Sequence, residues 1–235
     1  MIPAEQVEMV DDFSSFGVRA FTTTRAVGSF GSGSDEPVRD VMGRWDALRA
    51  SAASHGARRL ATASQVHGSR IITHVPGWEG WLRGSEADGH LCVTPGTAAA
   101  VTIADCVPVF IAHPSGATAI LHAGWRGTAA RIAEHGIAVL TQLGFPASEL
   151  RVHLGPAICE KCYEVSADVV RQLTGEPAST PRRVDLRGLI ADQLRAMGIR
   201  HLTRSPSCTR CDNATFFSHR AGDRGRQIAL ILAES

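Results

Sequence analysis

The sequence AAAVTIADCVPVFIA, residues 98–112, decides the fold class, because it holds two apolar runs of strand length separated by a short polar step. The runs are residues 98–103 and 107–112, and the step contains Asp105 and Cys106. Continuous apolar runs are typical of strands that are buried on both faces, which requires a packed layer on each side of the sheet. We therefore predict a pair of core strands that is interrupted by the polar step.

Strand patterns and helix patterns alternate on both sides of this stretch. Further strands are predicted at residues 18–24, in the stretch that precedes Gln65, and at residues 117–121 and 151–154, and residues 71–72 form a short apolar run. Helices are predicted at residues 38–55, from Gly127 to a stop at Gly144, from the cap Ser166 to Leu173, and from the cap Asp185 to Met197. Surface loops are predicted at 28–34 and 78–85, and a C-terminal hairpin is predicted from 214–220 and 226–233. Interleaved strands and helices indicate an α/β or α+β chain with a mixed sheet.

The bulk composition excludes several classes of protein. The 24 Lys and Arg residues against 23 Asp and Glu residues leave a net charge of +1, so nothing in the charge predicts a nucleic-acid or membrane-surface partner. The chain has 235 residues, and we expect one domain over 1–235. Residues 1–12 are acidic and lack the apolar run of a secretory signal, and residues 98–112 are too short and polar to cross a bilayer.

These features predict a cytoplasmic protein, in which thiols stay reduced. The six cysteines are then interpreted as metal ligands, nucleophiles or small buried residues in preference to a disulfide framework.

Polar residues stand where the apolar strands end, and this is where we expect chemistry. Asp105 needs a donor or a cation if it is buried, and it could be either a structural residue bonded to backbone in a tight turn or a catalytic acid. Cys106 could be a small core residue or a ligand. His122 begins the string HAGWRG at the junction of a strand and a helix. The helix start and the guanidinium of Arg126 there suit an anion.

A third polar position, His67, lies at a strand end in QVHG, residues 65–68. Cys106 follows His67 by 39 residues and precedes His122 by 16, so the spacing contains no local metal motif. Two histidines and one cysteine, if they met, would leave one tetrahedral position open, which is the pattern of a catalytic zinc.

Five motifs together resemble the YfiH family, which is also called the polyphenol oxidase or laccase-domain family and includes peptidoglycan editing factor. The resemblance runs from about Phe21 to the C-terminus. Its motifs are Gln65-Val-His-Gly, Ala104-Asp-Cys-Val-Pro, His122-Ala-Gly-Trp-Arg-Gly, Gly155-Pro-Ala-Ile with Cys162-Tyr-Glu-Val, and Cys208-Thr with Phe216-Phe-Ser-His-Arg.

The resemblance implies an α+β fold, a four-layer α-β-β-α sandwich with mixed sheets. It also implies that His67, Cys106 and His122 bind zinc, with copper as the other possible metal. The implied activity is a purine nucleoside phosphorylase that splits adenosine, inosine or methylthioadenosine with phosphate, together with adenosine deaminase activity. The expected partners are therefore a purine nucleoside and phosphate, with no nucleic acid and no membrane.

Site roles follow for this reaction. Cys106, His122 and Asp105 are the candidate catalytic residues, with Asp105 as the acid that assists the leaving purine. The candidates for binding substrate or phosphate are Arg25, Gln65, Arg126 and Arg220.

Three other functions compete with this one. The same residues could form a Cys-His hydrolase that edits peptidoglycan precursors, with Cys106 as the nucleophile and no metal. A copper oxidase is rejected, because none of the ten histidines lies two residues from another. Alternatively, Cys159, Cys162, Cys208 and Cys211 could bind a structural zinc in a non-enzymatic scaffold, although the gap between the two pairs is longer than in the usual zinc ribbon.

Overall fold

Two six-stranded sheets stack face to face in the computed structural model, which describes residues 2–234. The strands are β1 Val7–Met9, β2 Val18–Thr23, β3 Arg59–Ala63, β4 Ile71–His74, β5 Gly80–Gly84, β6 Gly89–Cys92, β7 Thr97–Ile103, β8 Val107–Ala112, β9 Thr118–Ala123, β10 Arg151–Leu154, β11 Glu164–Val165, β12 Arg182–Arg183, β13 His201–Arg204 and β14 Gln227–Ala233. The α-helices are α1 Val38–Ala53, α2 Trp125–Ala129, α3 Ile132–Gln142, α4 Ala167–Thr174 and α5 Leu186–Ala196.

Both large sheets are mixed, as predicted. Sheet 1 has the strand order β1-β2-β14-β7-β3-β5, and sheet 2 has the order β13-β10-β8-β9-β6-β4. In sheet 1, β3 runs parallel to β5 and to β7, and the other pairs are antiparallel. In sheet 2, β10 with β13 and β4 with β6 are the parallel pairs. Strands β11 and β12 form a separate two-stranded ribbon.

Side-chain alternation along the strands creates the layers, because successive residues of a strand point to opposite faces. On β7, Ala98 and Ala100 belong to the core under α1, whereas Ala99, Val101 and Ile103 belong to the core between the two sheets. Strand β7 is therefore buried on both faces, as its continuous apolar run predicts.

The outer face of sheet 2 is covered by the remaining helices. On β8, Val109 and Ile111 belong to the same core as Ile137 of α3 and Ile190 of α5, while Phe110 faces sheet 1. The layers are thus α1, sheet 1, sheet 2 and the group of helices α2 to α5. The four-layer α-β-β-α sandwich expected from the resemblance is confirmed. The described part of the chain contains no helix with the length and hydrophobicity that a membrane crossing requires.

The predicted core strand pair, residues 98–103 and 107–112, is wrong as a pair. The two runs are strands, but β7 lies in sheet 1 and β8 lies in sheet 2. The backbone at Asp105 is left-handed, with φ of 84°, and this carries the chain from one sheet to the other. The residues at this step therefore lie at the end of both sheets.

Two further sequence predictions are wrong. Residues 78–85, predicted as a loop, contain the edge strand β5, because Trp81 stacks on Trp45 of α1 at a ring-centroid distance of 5.1 Å. Residues 214–220 are not a strand, so there is no C-terminal hairpin. That segment is held as a turn, in which Gln227 accepts a hydrogen bond from the backbone nitrogen of Phe217 at 2.8 Å.

Helix ends differ in detail from the predictions. The helix expected after Gly127 begins earlier, at Trp125, and is divided into α2 and α3 by Arg131, whose φ is 57°. Ser166 caps α4 as predicted, since its hydroxyl accepts from the backbone nitrogen of Val169. Asp185 stands at the N-cap of α5, but its side chain makes no capping hydrogen bond.

Candidate metal centre and active site

The structure brings His67, Cys106 and His122 together at the ends of the two sheets. One ligand atom from each residue lies within 4.8 Å of the other two, and the group could hold a metal ion. The two imidazole rings lie 4.8 Å apart between centroids, with an interplanar angle of 73°. His122 is buried, Cys106 is partly buried and His67 is exposed, so the group opens to solvent on the His67 side.

A buried carboxylate, Asp88, positions both histidines. Its Oδ1 atom lies 2.8 Å from Nδ1 of His122. The two carboxylate oxygens together also accept hydrogen bonds from the backbone nitrogens of Val66, His67 and Gly68 at 3.2, 2.9 and 2.7 Å. Because Nδ1 of His122 is engaged by Asp88, Nε2 is the nitrogen that faces the other two ligands.

The same contacts determine the charge of Asp88. Burial acts to raise the pKa of this carboxyl, but the hydrogen bonds from His122 and Gly68 outweigh burial and hold the pKa below its usual range. The carboxylate is therefore ionised, and it offsets positive charge in the group. The three backbone donors also explain the left-handed conformation of His67, whose φ of 59° turns consecutive N–H groups toward one oxygen pair.

Gly124 is required for the close approach of these residues. A Cβ atom at this position would lie 2.9 Å from Sγ of Cys106 and 3.3 Å from Cδ2 of His67. Gly127 is similarly constrained, since a Cβ there would lie 3.0 Å from the carbonyl oxygen of Gly68. The glycines of HAGWRG therefore make space for the ligand group.

Cys106 and His122 form a charged pair in the absence of a metal. Burial acts to raise the pKa of the Cys106 thiol, but the charge of His122 and hydrogen bonds from both histidines lower it to about 6. Burial acts to lower the pKa of His122, whereas the Cys106 thiolate and Asp88 raise it to about 9. The thiol is thus prepared to be a thiolate, which is the form that binds metals.

The donor set fits a catalytic metal site. Two imidazole nitrogens and one thiolate leave a fourth tetrahedral position for substrate or water, and the carboxylate behind His122 is the usual outer partner of a metal-binding histidine. The space left by Gly124 lies directly against the two side chains that would share the metal.

Tyr163 borders the same group, although the sequence did not single it out as a site residue. It is the only tyrosine in the chain. Burial raises its pKa to about 12, and the negative charge of Cys106 contributes to the shift. Its ring lies 5.1 Å from the guanidinium carbon of Arg220. Tyr163 therefore keeps its proton at neutral pH beside the thiolate.

Of the predicted anion-binding arginines, Arg126 is the most available. It is exposed, its guanidinium lies 4.3 Å from the ring centroid of Trp125, and its side chain makes no hydrogen bond within residues 2–234. Arg220 donates from its side chain to the carbonyl oxygen of Glu164 at 2.9 Å and covers Tyr163. The helix start, which the sequence predicted to suit an anion, contributes little to anion binding, because α2 has only five residues.

Arg25 and Gln65 are occupied by other contacts. Arg25 donates to Asp223 at 2.6 Å and to the carbonyl oxygens of Asn213 and Phe216. Gln65 uses both ends of its amide on Thr102, accepting from its nitrogen and hydroxyl and donating to its carbonyl oxygen, each at 2.8 Å. These contacts fix the chain on either side of the site.

Asp105 is similarly engaged. Its carboxylate accepts from the hydroxyl of Thr209 at 2.6 Å and from the backbone nitrogen of Arg220 at 2.7 Å. This geometry is that of the structural turn residue that the sequence left open, and the acid role stays a prediction.

Asp88, like Tyr163, is a residue of this site that sequence reasoning missed. Its signal was available, because it directly precedes Gly89 and the fully buried strand β6. A carboxylate next to a buried strand is the same pattern that marked Asp105 as a candidate site residue.

Comparisons with known proteins agree with this fold and identify the family. The family described as multi-copper polyphenol oxidoreductase laccase matches residues 26–234. A purine nucleoside phosphorylase of Mycobacterium tuberculosis is 33% identical over 239 residues, covering 94% of each chain. Adenosine deaminase RL5, from an unknown prokaryotic organism, is 34% identical over 134 residues and 51% of each chain. The crystal structure of YlmD from Geobacillus stearothermophilus matches with a TM-score of 0.89 and 28% identity, covering 100% of this chain and 98% of YlmD.

Proposed function

We propose that this chain, which belongs to the laccase-domain family also called YfiH, is a zinc-dependent purine nucleoside phosphorylase. Its substrates would be adenosine, inosine or methylthioadenosine together with phosphate. The observation that carries the proposal is the meeting of His67, Cys106 and His122 over the buried carboxylate of Asp88. The similarity to a purine nucleoside phosphorylase over 94% of the chain supports the substrate class.

Zinc at this site would supply Lewis acidity, which polarises a substrate oxygen or activates water. The residues around it provide the other requirements of phosphorolysis. Arg126 offers an exposed guanidinium without a hydrogen-bonded partner in the described chain, suited to hold phosphate. The phenol of Tyr163 remains protonated and can donate a hydrogen bond to the leaving purine.

Tyr163 is a better hydrogen-bond donor than Asp105 in this arrangement, because its phenol keeps its proton. Both Asp105 oxygens already accept hydrogen bonds, from Thr209 and from the backbone of Arg220. We therefore assign Asp105 to holding the Arg220 segment against the site, and Tyr163 to a hydrogen bond with the leaving purine.

Adenosine deaminase activity is proposed at the same site, supported by the similarity to adenosine deaminase RL5. The chain contains neither the His-x-Glu nor the Pro-Cys-x-x-Cys signature of nucleobase deaminases. The attacking water would therefore be oriented by a different set of residues, centred on His67, Cys106 and His122.

The test is a comparison of two histidine variants in protein purified without chelators. We expect His122→Ala to lose the metal of this centre and phosphate-dependent hypoxanthine release from inosine together. His135→Ala, which changes an exposed histidine of α3, should keep both. Undiminished inosine phosphorolysis by a His122→Ala protein that has lost the metal of this centre would end the proposal.

A Cys-His hydrolase is the second candidate. Asp88 contacts His122, and His122 in turn contacts Cys106, which is the arrangement of a carboxylate, a base and the nucleophile that the base activates. It differs in needing no metal. A covalent adduct formed on Cys106 by a peptidoglycan precursor, detected by mass spectrometry in metal-free protein, would favour it over the phosphorylase.

A further inference from the structure

We propose a second metal site in this protein, a structural zinc bound by the four thiolates of Cys159, Cys162, Cys208 and Cys211. One sulfur atom from each lies within 4.8 Å of the other three. The sulfur of Cys211 lies 3.9 Å from that of Cys159 and 3.5 Å from that of Cys162. This site is separate from the group of His67, Cys106 and His122.

The sulfur spacing matches zinc and not a disulfide. Four sulfur atoms placed tetrahedrally around zinc at about 2.3 Å lie about 3.8 Å from one another. A disulfide would bring two sulfurs to about 2.05 Å. The observed separations of 3.5 and 3.9 Å are close to the edge of the tetrahedron, and all four cysteines are free thiols. A set of four sulfurs in this geometry selects zinc or an iron–sulfur cluster, and one metal ion fits these distances.

Backbone hydrogen bonds prepare one sulfur for this role. Sγ of Cys208 accepts from the backbone nitrogen of Cys159 at 3.3 Å and from that of Cys211 at 3.4 Å. Hydrogen bonds to a metal-binding sulfur orient it and stabilise its charge. The two Cys-x-x-Cys segments therefore present their sulfurs inward before any metal binds.

The fold closes the long gap between the two pairs. The 45 residues between Cys162 and Cys208 exceed the spacing of about 15–20 in the usual zinc ribbon. Here a parallel bridge between Ala157 and Cys208 aligns the two segments instead. A contact from the side chain of Arg210 to the carbonyl oxygen of Cys162, at 3.3 Å, holds them together further.

A zinc at these four cysteines would make the two segments that border the active site rigid. Cys162 directly precedes Tyr163, and Cys208 directly precedes Thr209, whose hydroxyl binds Asp105. A zinc that crosslinks the two segments would thus fix the positions of Tyr163 and Asp105 without contacting substrate. With four protein ligands the site has no open position, as in other structural zinc sites.

The test begins with metal analysis of the full chain, purified without chelators. We expect two zinc ions per chain. The double variant Cys159→Ser with Cys211→Ser should hold one, and so should His122→Ala. Cys92→Ala, which changes a buried cysteine outside both groups, should retain two.

Cobalt loading of the unmutated protein adds a readout that does not depend on a variant folding. Four thiolates give bound Co²⁺ intense visible d–d bands and sulfur-to-metal charge-transfer bands. The same bands should persist in His122→Ala, because that variant keeps all four cysteines. A double variant that binds as much zinc as the unmutated protein, with zinc added in excess, overturns the proposal. The loss of two titratable thiols in denatured protein, which would indicate a disulfide, also overturns it.

Discussion

The Oδ1 atom of Asp88 lies 2.8 Å from Nδ1 of His122, and Asp88 has no exposure to solvent. This contact fixes the tautomer of the imidazole, so that Nε2 is the nitrogen left for a metal. Because the same carboxylate also accepts from the backbone of His67, the two histidines are positioned by one buried residue.

Asp88→Asn should weaken metal binding while the fold is retained. The amide oxygen can still accept a hydrogen bond, but the negative charge behind His122 is lost. Removal of such an outer partner typically costs about 10–100-fold in metal affinity. The measurement is zinc affinity by competition with a chromophoric chelator. Asp192→Asn, on the exposed side of α5, is the matched control, and equal affinities for the two variants would contradict the assigned role of Asp88.

Gly124→Ala should disrupt the metal centre more than the fold. The new Cβ would stand 2.9 Å from Sγ of Cys106, which is closer than side-chain contacts allow, so the thiol must move. We expect a large loss of bound metal in elemental analysis, with a far-ultraviolet circular dichroism spectrum close to that of the parent.

Gly43→Ala provides the comparison, because a Cβ there meets nothing within 4 Å. In the middle of α1 this change should stabilise the protein by up to about 1 kcal/mol and leave the metal content unchanged. Full metal occupancy in Gly124→Ala would show that the close approach is not required.

His90 should make stability fall as the pH is lowered from about 6.5. Burial and the neighbouring charge of His74 lower the pKa of His90 to about 3, and Nε2 of His90 has no hydrogen-bond partner in the described structure. Between these values the unfolded chain binds a proton that the folded chain does not. The stability contributed by the neutral ring is therefore complete above the unfolded pKa and is lost as the pH falls toward 3.

His90→Leu removes this titration. The free energy of unfolding, measured by urea denaturation at several pH values, should then depend on pH less steeply, by up to about 1.4 kcal/mol per pH unit. His135→Leu, at an exposed position of α3, is the matched control. Identical slopes for the two variants would assign the pH dependence to other groups.

The apolar runs of β7 and β8 were predictable because hydrophobic burial leaves a direct trace in the sequence. Their assignment to different sheets was not, since it depends on the backbone turn at Asp105. Three polar side chains at strand ends, those of His67, Cys106 and His122, could be identified from the sequence as candidates for chemistry. Their meeting could not, because it arises from the order of strands across 55 residues of chain. The partner of Arg25, Asp223, was equally hidden, because the contact joins segments far apart in sequence.

Tyr163→Phe should lower kcat without changing metal content. The ring keeps its place against Arg220, and only the hydroxyl is lost. If this phenol donates a hydrogen bond to the negative charge that develops on the leaving purine, the expected reduction is about 10–100-fold in kcat for inosine phosphorolysis. The metal-to-protein ratio measured on the same sample separates this effect from damage to the ligand group. An unchanged kcat would remove Tyr163 from the reaction.

Arg126→Ala should raise KM for phosphate more than it lowers kcat. Its guanidinium makes no hydrogen bond within the described residues, so removing it leaves no internal partner unsatisfied and should not affect folding. A lost charge-assisted contact of about 1.5–3 kcal/mol corresponds to roughly 10–100-fold weaker phosphate binding. Arg25→Ala should behave differently, because it leaves Asp223 without its ion pair and should lower the unfolding temperature. Initial rates at varied phosphate and fixed inosine distinguish the two, and a normal phosphate KM in Arg126→Ala would place the anion elsewhere.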